Sequence, residues 1–487
     1  MIRRAGCPRG PGNDHLNQRE IIMDYDYMII GSGPAGHVSA LKAAQIGMKV
    51  CVVEKERASF GGVCLNEGCI PAKSLYRSAA VYELMKTEGT DFGLGNVSLD
   101  GNIGFMVERS VRDSETLKKG LESLFEKNGI DVLYGHASFL DPDTVMVTGD
   151  AGEKRVRASK TLIATGSRPR PLNDIPFNGI NILSSSHAIK LTEVPDSMVI
   201  VGGGYIGVEM ASYFDLLGCD ITIIEYRDRI LPTEDKDISR RMRSLLKKRG
   251  IRIRTSSAVS GISGDGPLEI HVGTGDEKED IIKAGKILVS IGREPLVEGL
   301  SLEKAGLATD QQGFIGVDGS MRTNVGHIYA AGDVVRGPML AHSAYAEGEI
   351  AALDAAGHDH GQIDHDNIPN AVYSHVPAAS TGYTEEKATE AGIEVSVGKT
   401  LFRANGKAVI NRSPEGFIKV IADRGTGKIL GAHIIGDHAQ DMIHEFVLAR
   451  KAGMTAGQVA SAVHAHPTLS ESVVEACRAV SGVALHG

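Results

Sequence analysis

The chain has 487 residues, 42% of them hydrophobic, enough for about three or four packed domains. Net charge is −9, Trp is absent and aromatics are only 5%, which argues against a polyanion partner and against base-stacking platforms for nucleic acid. Six cysteines make no disulfide scaffold at this length, and no stretch has the roughly eighteen uninterrupted apolar residues of a membrane span.

Residues 1–23 mix Arg, Pro, Gly and Asn without a period and lack the apolar core of a signal peptide. They read as a disordered leader, in which Cys7 is incidental. Sparse thiols point to a reducing compartment, and hence to the cytoplasm.

Tyr25 to Ile30 reads as a short apolar strand. It runs into Gly31-Ser32-Gly33-Pro34-Ala35-Gly36, an Ala-rich helix, and a strand Val50–Val53 ending at Glu54. Strand, Gly-x-Gly-x-x-Gly, helix, strand and acid form a dinucleotide-binding unit. The glycines let backbone approach a pyrophosphate, the helix N-terminus receives its charge, and Glu54 can bond a ribose hydroxyl.

Directly after it stands Gly61-Gly62-Val63-Cys64-Leu65-Asn66-Glu67-Gly68-Cys69-Ile70-Pro71-Ala72-Lys73, with its two cysteines five apart. Gly and Asn permit a tight turn, and Ile70-Pro71 suits a helix start. A thiol at a helix N-terminus is biased towards thiolate, and Lys73, one turn past Cys69, adds a cation. These features suit a pair that opens and closes during a reaction. A structural disulfide and a zinc site are the alternatives. The position beside a dinucleotide unit favours redox work.

A helix over Lys73–Lys86 is followed by a Gly-rich loop and a charged helix near Phe105–Lys127. Ile130–Val132 and Thr144–Val147 read as strands. Thr161 to Pro169 reads as a buried strand ending in a turn that contains Thr165 and Gly166. Met198–Val201 then opens a second unit: Gly202-Gly203-Gly204-Tyr205-Ile206-Gly207, a helix, and a strand Ile221–Ile224 leading to Glu225. Glu225 lies 23 residues after Gly202, the offset that separates Glu54 from Gly31. The chain thus carries two copies of one βαβ unit, which implies two bound dinucleotides. Glu225 accepts from a free 2′-hydroxyl and repels a 2′-phosphate, favouring NAD over NADP, with Arg227 and Arg229 close by as a counterweight.

Asp235–Arg249 is a charged helix, and Ile287–Pro295, with Gly292, repeats the buried strand and turn. Gly326 to Val334 ends in small residues and Asp333, which reads equally as a polyol ligand or as a cap for the next helix. From Gly357 the composition shifts to a polar linker, in which His358, His360 and His365 read as solvated rather than metal-binding. The rest is an α+β domain with strands Ala371–Tyr373, Phe417–Ile421 and Ile429–Ile435 and a helix Asp441–Ala452. In His464-Ala465-His466-Pro467-Thr468-Leu469-Ser470-Glu471, His466 is a natural acid/base for thiol chemistry and Glu471 could orient it. The same run also reads as a helix entry capped by Thr468 or Ser470, or as zinc ligands His464 and His466 joining Cys64 and Cys69.

In this order, the motifs from Asp24 to about Val483 resemble the pyridine nucleotide–disulfide oxidoreductases, on the branch that oxidises dihydrolipoamide. The resemblance implies an α/β fold with two Rossmann-like domains and a C-terminal α+β dimerisation domain. The expected boundaries are 24–171 for an FAD-binding domain with the redox disulfide and 172–290 for an NAD-binding domain. Residues 291–355 form a central domain completing the FAD site, and 356–487 an interface domain. FAD would be held by Gly31, Gly33, Pro34, Ala35, Gly36, Glu54 and Lys55, by Gly62, Val63 and Lys73, by Thr165 and Gly166, and by Asp333 at its ribitol. Met339, Leu340, Ala341 and His342 would complete that site. NAD would be held by Gly202, Gly204, Tyr205, Ile206, Gly207, Glu225 and Gly292.

The resemblance further implies that Cys69 lies against the flavin and Cys64 faces the substrate, with Lys73 and Glu209 paired beside the flavin ring. His466, held by Glu471, would come from the other subunit of a homodimer, and no metal is expected. The implied reaction is oxidation of protein-bound dihydrolipoamide, presented by lipoyl-carrier domains of 2-oxoacid dehydrogenase or glycine cleavage complexes, with reduction of NAD. A glutathione reductase-like enzyme and a flavoprotein redox sensor are the alternatives. Val63 stands where Thr is usual in the family and Ala72 where Ser is usual. Glu67 lies inside the redox turn, where an anion disfavours thiolate. The tract Ser374-His375-Val376-Pro377 also departs from the usual run.

Overall fold

The computed structural model describes residues 22–486 except 96–98, 100, 173–174, 265–266 and 274–279. The leader expected over 1–23 lies outside these residues but for its end: Ile22 and Met23 belong to the first strand and pair with Arg155 and Val156.

The two βαβ units become two separate parallel sheets. In the first, Ile22–Ile30 lies between Val50–Glu54 and Gly152–Ile163 and runs parallel to both. Asp131–Tyr134 adds beyond Val50–Glu54, and Thr144–Gly149 and His136–Phe139 form an antiparallel flank. Ile328–Ala330 also pairs with Gly152–Ile163, so residues near Asp333 share a sheet with the first glycine motif. In the second sheet, Ser197–Val201 lies between Asp220–Ile224 and Lys286–Val289, all parallel. Strand Val50–Glu54 is buried along its whole length, as expected of apolar runs with helices on both faces.

The C-terminal sheet is antiparallel, in the order Asn370–Val372, Ala378–Gly382, Ile429–Ile435, Phe417–Asp423, Val395–Leu401. Helices Ala439–Lys451 and Glu471–Ala479 pack on it. Most elements expected from the sequence are found within a few residues of their expected ends; the strand expected from Thr161 instead begins at Gly152, where polar residues of its exposed first half hide it, and ends at Ile163.

One apolar core joins the cysteine helix, the second unit and the C-terminal sheet. Ala72, Leu75 and Ala79 of the helix Cys69–Glu88 pack with Val208 and Ala211 of the helix Tyr205–Leu216 and with Val372, Ala378, Phe417 and Ile435 of the C-terminal sheet. The helix that begins at Cys69 is therefore wedged between the second unit and the C-terminal domain. This fixes where its first turn points.

Candidate active site

The two glycine motifs build the same cradle twice. Gly31 and Gly202 take φ of +102° and +105°, a region that favours glycine. A Cβ at Gly36 or at Gly207 would fall 1.9 Å from the carbonyl oxygen of Gly31 or Gly202, so only glycine lets each helix sit against its strand. Gly33 and Gly204 are the N-caps of helices Pro34–Gln45 and Tyr205–Leu216, and neither end is closed by a side-chain cap. The first amides of both helices thus remain free for an anion.

The acids at the strand ends are also matched. Glu54 Oε2 accepts from the Ser32 amide (2.9 Å) and the Ser32 hydroxyl (2.6 Å), and Oε1 from the Lys55 amide (2.8 Å). Glu225 Oε2 accepts from the Gly203 amide (2.6 Å) and Oε1 from the Arg227 amide (2.7 Å). Each carboxylate is pinned at the mouth of its cradle. Arg229, the expected counterweight to Glu225, is instead paired with Glu386 at 3.2 Å.

The cysteine segment is laid on the first cradle. Gly61 and Gly62 have φ of +89° and +75°, and a Cβ at Gly62 would stand 2.5 Å from the Gly33 Cα. The Ser32 hydroxyl accepts from the Gly61 amide at 2.9 Å, and the Asn66 side chain donates to the carbonyls of Phe60 and Gly62. Cys64 sits in the short helix Gly62–Asn66, and Cys69 is the first residue of Cys69–Glu88. The two cysteines are thus held side by side at the edge of the first cradle, Cys64 half-buried. The Cys64 thiol is hydrogen-bonded to Cys69, and that bond, helped by the Lys73 charge, draws Cys69 down to about 7 against the effect of burial. The same bond, with burial, pushes Cys64 far up. The two thiols are thereby made unequal, with Cys69 the easier to ionise.

Lys73 Nζ lies 2.6 Å from Glu209 Oε2 and 4.7 Å from the centroid of the Tyr373 ring, and the Tyr373 amide donates to Glu209 Oε1 at 3.1 Å. Burial would lower Lys73, but Glu209 outweighs it and holds the ammonium above its usual range. Glu67 is turned outward to Lys190 at 2.6 Å. Val63 is exposed and Ala72 buried. The tract Ser374–Pro377 makes a junction: the Tyr76 hydroxyl donates to the Ser374 carbonyl at 2.7 Å, and His375 Nε2 lies 3.0 Å from Asp215.

Asp333 caps no helix. It accepts from the Ser167 hydroxyl, and Arg293 Nε lies 3.7 Å away while donating to that same hydroxyl at 2.7 Å. Gly166 and Gly292 turn with φ of +76° and +122°, and a Cβ on either would meet open space. The Thr165 hydroxyl donates to the Leu296 carbonyl at 2.6 Å. Met339 adopts φ +51°, Leu340 is the N-cap of Ala341–Ala355 without a side-chain cap, and His342 Nε2 is 2.7 Å from the Pro369 carbonyl.

His466 stands apart from the cysteines, at the end of the C-terminal domain. Its Nδ1 is 2.9 Å from Glu471 Oε1, its side chain is 78% exposed, and Glu471 Oε2 accepts from the Thr468 amide at 2.9 Å. That amide and His466 hold Glu471 below the usual carboxylate range. Neither Thr468 nor Ser470 caps the helix with its side chain; the Thr468 hydroxyl donates to the Ala465 carbonyl. His464 is taken by Glu445 at 2.9 Å. Among the described residues no His, Cys, Asp and Glu side chains gather in a set that could hold a metal ion.

Several participants are not legible in the sequence. Ser32 occupies a variable position of the glycine motif, Tyr373 lies some three hundred residues beyond Lys73, and Ser167 and Arg293 reach Asp333 only through folding. None carries a local signal.

The model for pyridine nucleotide-disulphide oxidoreductases matches residues 25–348, and the family's dimerisation domain matches 368–477. The chain belongs to this family. It is 41% identical to the dihydrolipoyl dehydrogenase of Bacillus subtilis over 477 residues, covering 95% of this chain and 99% of that one. It is 38% identical to the mitochondrial dihydrolipoyl dehydrogenase of Pisum sativum, covering 95% and 92%. The solved structure of the HOCl-induced flavoprotein disulfide reductase RclA from Escherichia coli superposes with a TM-score of 0.82 at 27% identity, covering 93% and 99%.

As a member of this disulphide oxidoreductase family the chain is an enzyme that uses FAD and NAD, and it forms a homodimer through the dimerisation domain. The two cradles fit these cofactors. Each offers free helix amides for a pyrophosphate and a pinned acid for a ribose, and the first also brings the dithiol, Lys73 and Asp333 together. Among the described residues no helix is long and apolar enough to cross a membrane.

Proposed function

We propose that this enzyme oxidises protein-bound dihydrolipoamide to lipoamide through Cys64 and Cys69 and reduces NAD. The observation that carries the reading is the cysteine pair laid on the first cradle, with Cys69 opening the helix that carries the Lys73–Glu209 ion pair, in a chain similar along nearly its whole length to dihydrolipoyl dehydrogenases.

In the oxidised enzyme the two sulfurs form a disulfide. His466 of the partner subunit, oriented by Glu471, takes a proton from a substrate thiol. The resulting thiolate attacks Cys64 Sγ, the Cys64–Cys69 bond breaks, and Cys69 leaves as a thiolate stabilised by its helix N-terminus and by Lys73. The second substrate thiolate then closes the lipoyl disulfide and releases Cys64. Bound FAD and NAD supply the two-electron and hydride chemistry that carries the electrons onward.

Glu54, Asp333 and the amides after Gly33 hold FAD in this reading. Gly202, Gly204, Tyr205, Ile206, Gly207, Gly292 and Glu225 hold NAD. The substrate arm is carried by lipoyl domains of 2-oxoacid dehydrogenase or glycine cleavage complexes. We place the reaction in the cytoplasm, because six cysteines in 487 residues suit a reducing compartment.

The test mixes the FAD-loaded protein with dihydrolipoamide and either NAD or NADP and follows reduced nicotinamide by absorbance. Fast NAD reduction with far slower NADP reduction is expected. Little turnover of dihydrolipoamide alongside rapid NADPH-driven reduction of glutathione disulfide would overturn the substrate class and keep the fold.

A further inference from the structure

Glu67 stands between the two cysteines, and no step of the proposed reaction uses it. It is the C-cap of the short helix Gly62–Asn66, and its amide donates to the Val63 carbonyl at 2.8 Å. The turn that follows is equally fixed. A Cβ on Gly68 would lie 3.0 Å from that carbonyl oxygen and 3.2 Å from the Cys64 Cα. A carboxylate is therefore built into the redox turn, directly before the glycine that precedes Cys69.

Its partner comes from the second unit. Lys190 Nζ lies 2.6 Å from Glu67 Oε1, across 123 residues of sequence. Ala188 and Ile189 are buried and Leu191 packs beside them, in the same apolar core as Ala72 and Leu75 of the cysteine helix. The backbones that carry the two charges are thus held against each other by shared packing. Both side chains remain partly open to water, at 40% and 58%, which keeps the interaction modest and sensitive to salt.

A third charge places this carboxylate and the Cys69 sulfur in one electrostatic neighbourhood. Arg293 donates from Nε to the Ser167 hydroxyl and from Nη2 to the Ser167 carbonyl, both at 2.7 Å. Burial lowers this guanidinium, while Asp333, Cys69 and Glu67 each act to raise it. We propose that Lys190 is a positioning residue for the redox pair: acting through Glu67, it neutralises the carboxylate inside the turn and so raises the reduction potential of the Cys64–Cys69 couple. This rests on the reading that these two sulfurs form the redox disulfide. Its reduction takes up two electrons and one proton, breaks the S–S bond, and leaves a thiolate on Cys69 and a thiol on Cys64. An uncompensated Glu67 disfavours only the reduced side, because the disulfide carries no charge. Glu67 in turn holds the lysine in place; without it the ammonium swings into solvent.

The test equilibrates the FAD-loaded dimer with dithiothreitol buffers of graded reduced-to-oxidised ratio at about pH 8, quenches in acid, and counts the Cys64 and Cys69 thiols by mass after alkylation. Lys190→Met should lower the equilibrium constant for reduction by about two- to fivefold, the reach of one partly exposed charge. That is a fall of about 10–20 mV for a two-electron couple. Lys190→Arg should keep the wild-type value, and Lys190→Glu should fall further than Lys190→Met. Glu67→Gln should lie near the wild type, and adding it to Lys190→Met should restore the couple. All these differences should shrink in about 1 M salt. The idea is overturned if Lys190→Met and Lys190→Glu titrate like the wild type, or if the loss in Lys190→Met persists beside Glu67→Gln. Should Lys190→Glu fail to fold, Lys190→Met and its double variant decide by the same comparison. A wild type whose Cys64 and Cys69 stay unchanged across every buffer overturns the disulfide reading itself, and the proposal with it, a result distinct from a couple that titrates but ignores residue 190.

Discussion

At Cys69, burial opposes the thiolate while the Cys64 thiol and the Lys73 ammonium favour it, and the balance leaves the sulfur near 7. In the dithiol enzyme, alkylation of Cys69 by iodoacetamide should therefore rise with pH with a midpoint near 7. Cys64→Ala and Lys73→Met should each move that midpoint upward, because each removes a group that stabilises the anion. Mass mapping of the labelled peptide across a pH series checks this, and an unmoved midpoint in Lys73→Met would remove lysine from the account. At the other end of the reaction, Glu471 is held in its ionised form by the Thr468 amide and His466. Glu471→Gln should cut dihydrolipoamide turnover by up to about two to four orders of magnitude, the usual reach of the positioned base that it orients. NADH-driven reduction of a dye, which needs no substrate thiol, should hold steady, and parallel assays of the two reactions give the comparison.

Among the elements, the cysteine segment is placed by backbone contact rather than by side chains. A Cβ at Gly62 would meet the Gly33 Cα at 2.5 Å, and Gly62 has φ +75°. Gly62→Ala should cost about 1–2 kcal/mol from the left-handed backbone alone, before any shift of the two segments. The variant should be recovered with less bound flavin, measured as the ratio of visible to ultraviolet absorbance. At this scale much was legible in the sequence. The paired Gly-x-Gly-x-x-Gly motifs, with acids at the same offset, mark two cradles, because any Cβ at Gly36 or Gly207 would fall 1.9 Å from a carbonyl oxygen. The roles of Ser32, Tyr373 and Arg293 were not legible. Ser, Tyr and Arg are ordinary surface residues until distant strands carry them to Glu54, Glu209 and Asp333. The Glu54 and Glu225 contacts to backbone amides were likewise hidden, since an acid at a strand end looks the same whether or not its oxygens are already engaged.

For the molecule as a whole, the ionic cluster around Lys419 joins the second unit to the dimerisation domain. Lys419→Met leaves Asp235 buried without its partner and should cost about 3–5 kcal/mol, read from urea melts at pH 7. Lys419 and His433 keep the Asp235 carboxyl below its usual range despite burial, and Lys419 and Lys399 do the same for Asp237. A depressed carboxyl contributes stability that is complete above its unfolded value of about 3.9 and fades as pH falls through its folded value. The wild type should therefore lose stability as pH drops below about 4, and the gap between it and Lys419→Met should narrow there. A gap that stays constant with pH would mean that lysine acts by packing rather than by charge.

The shared core that wedges the cysteine helix has a consequence for how such a chain can be cut or recombined. Leu75, Ala79, Val208 and Ala211 on one side find their cover in Val372, Ala378, Phe417 and Ile435 on the other. A fragment ending at residue 355 would bear both glycine motifs and both cysteines, yet it would expose that apolar seam to water and leave Asp235 without its lysine. Such a fragment should aggregate on expression. The chemistry thus depends on the C-terminal domain as well as on the two glycine units, and a chimera grafting a foreign C-terminal domain must match this seam before its thiols can be set in place.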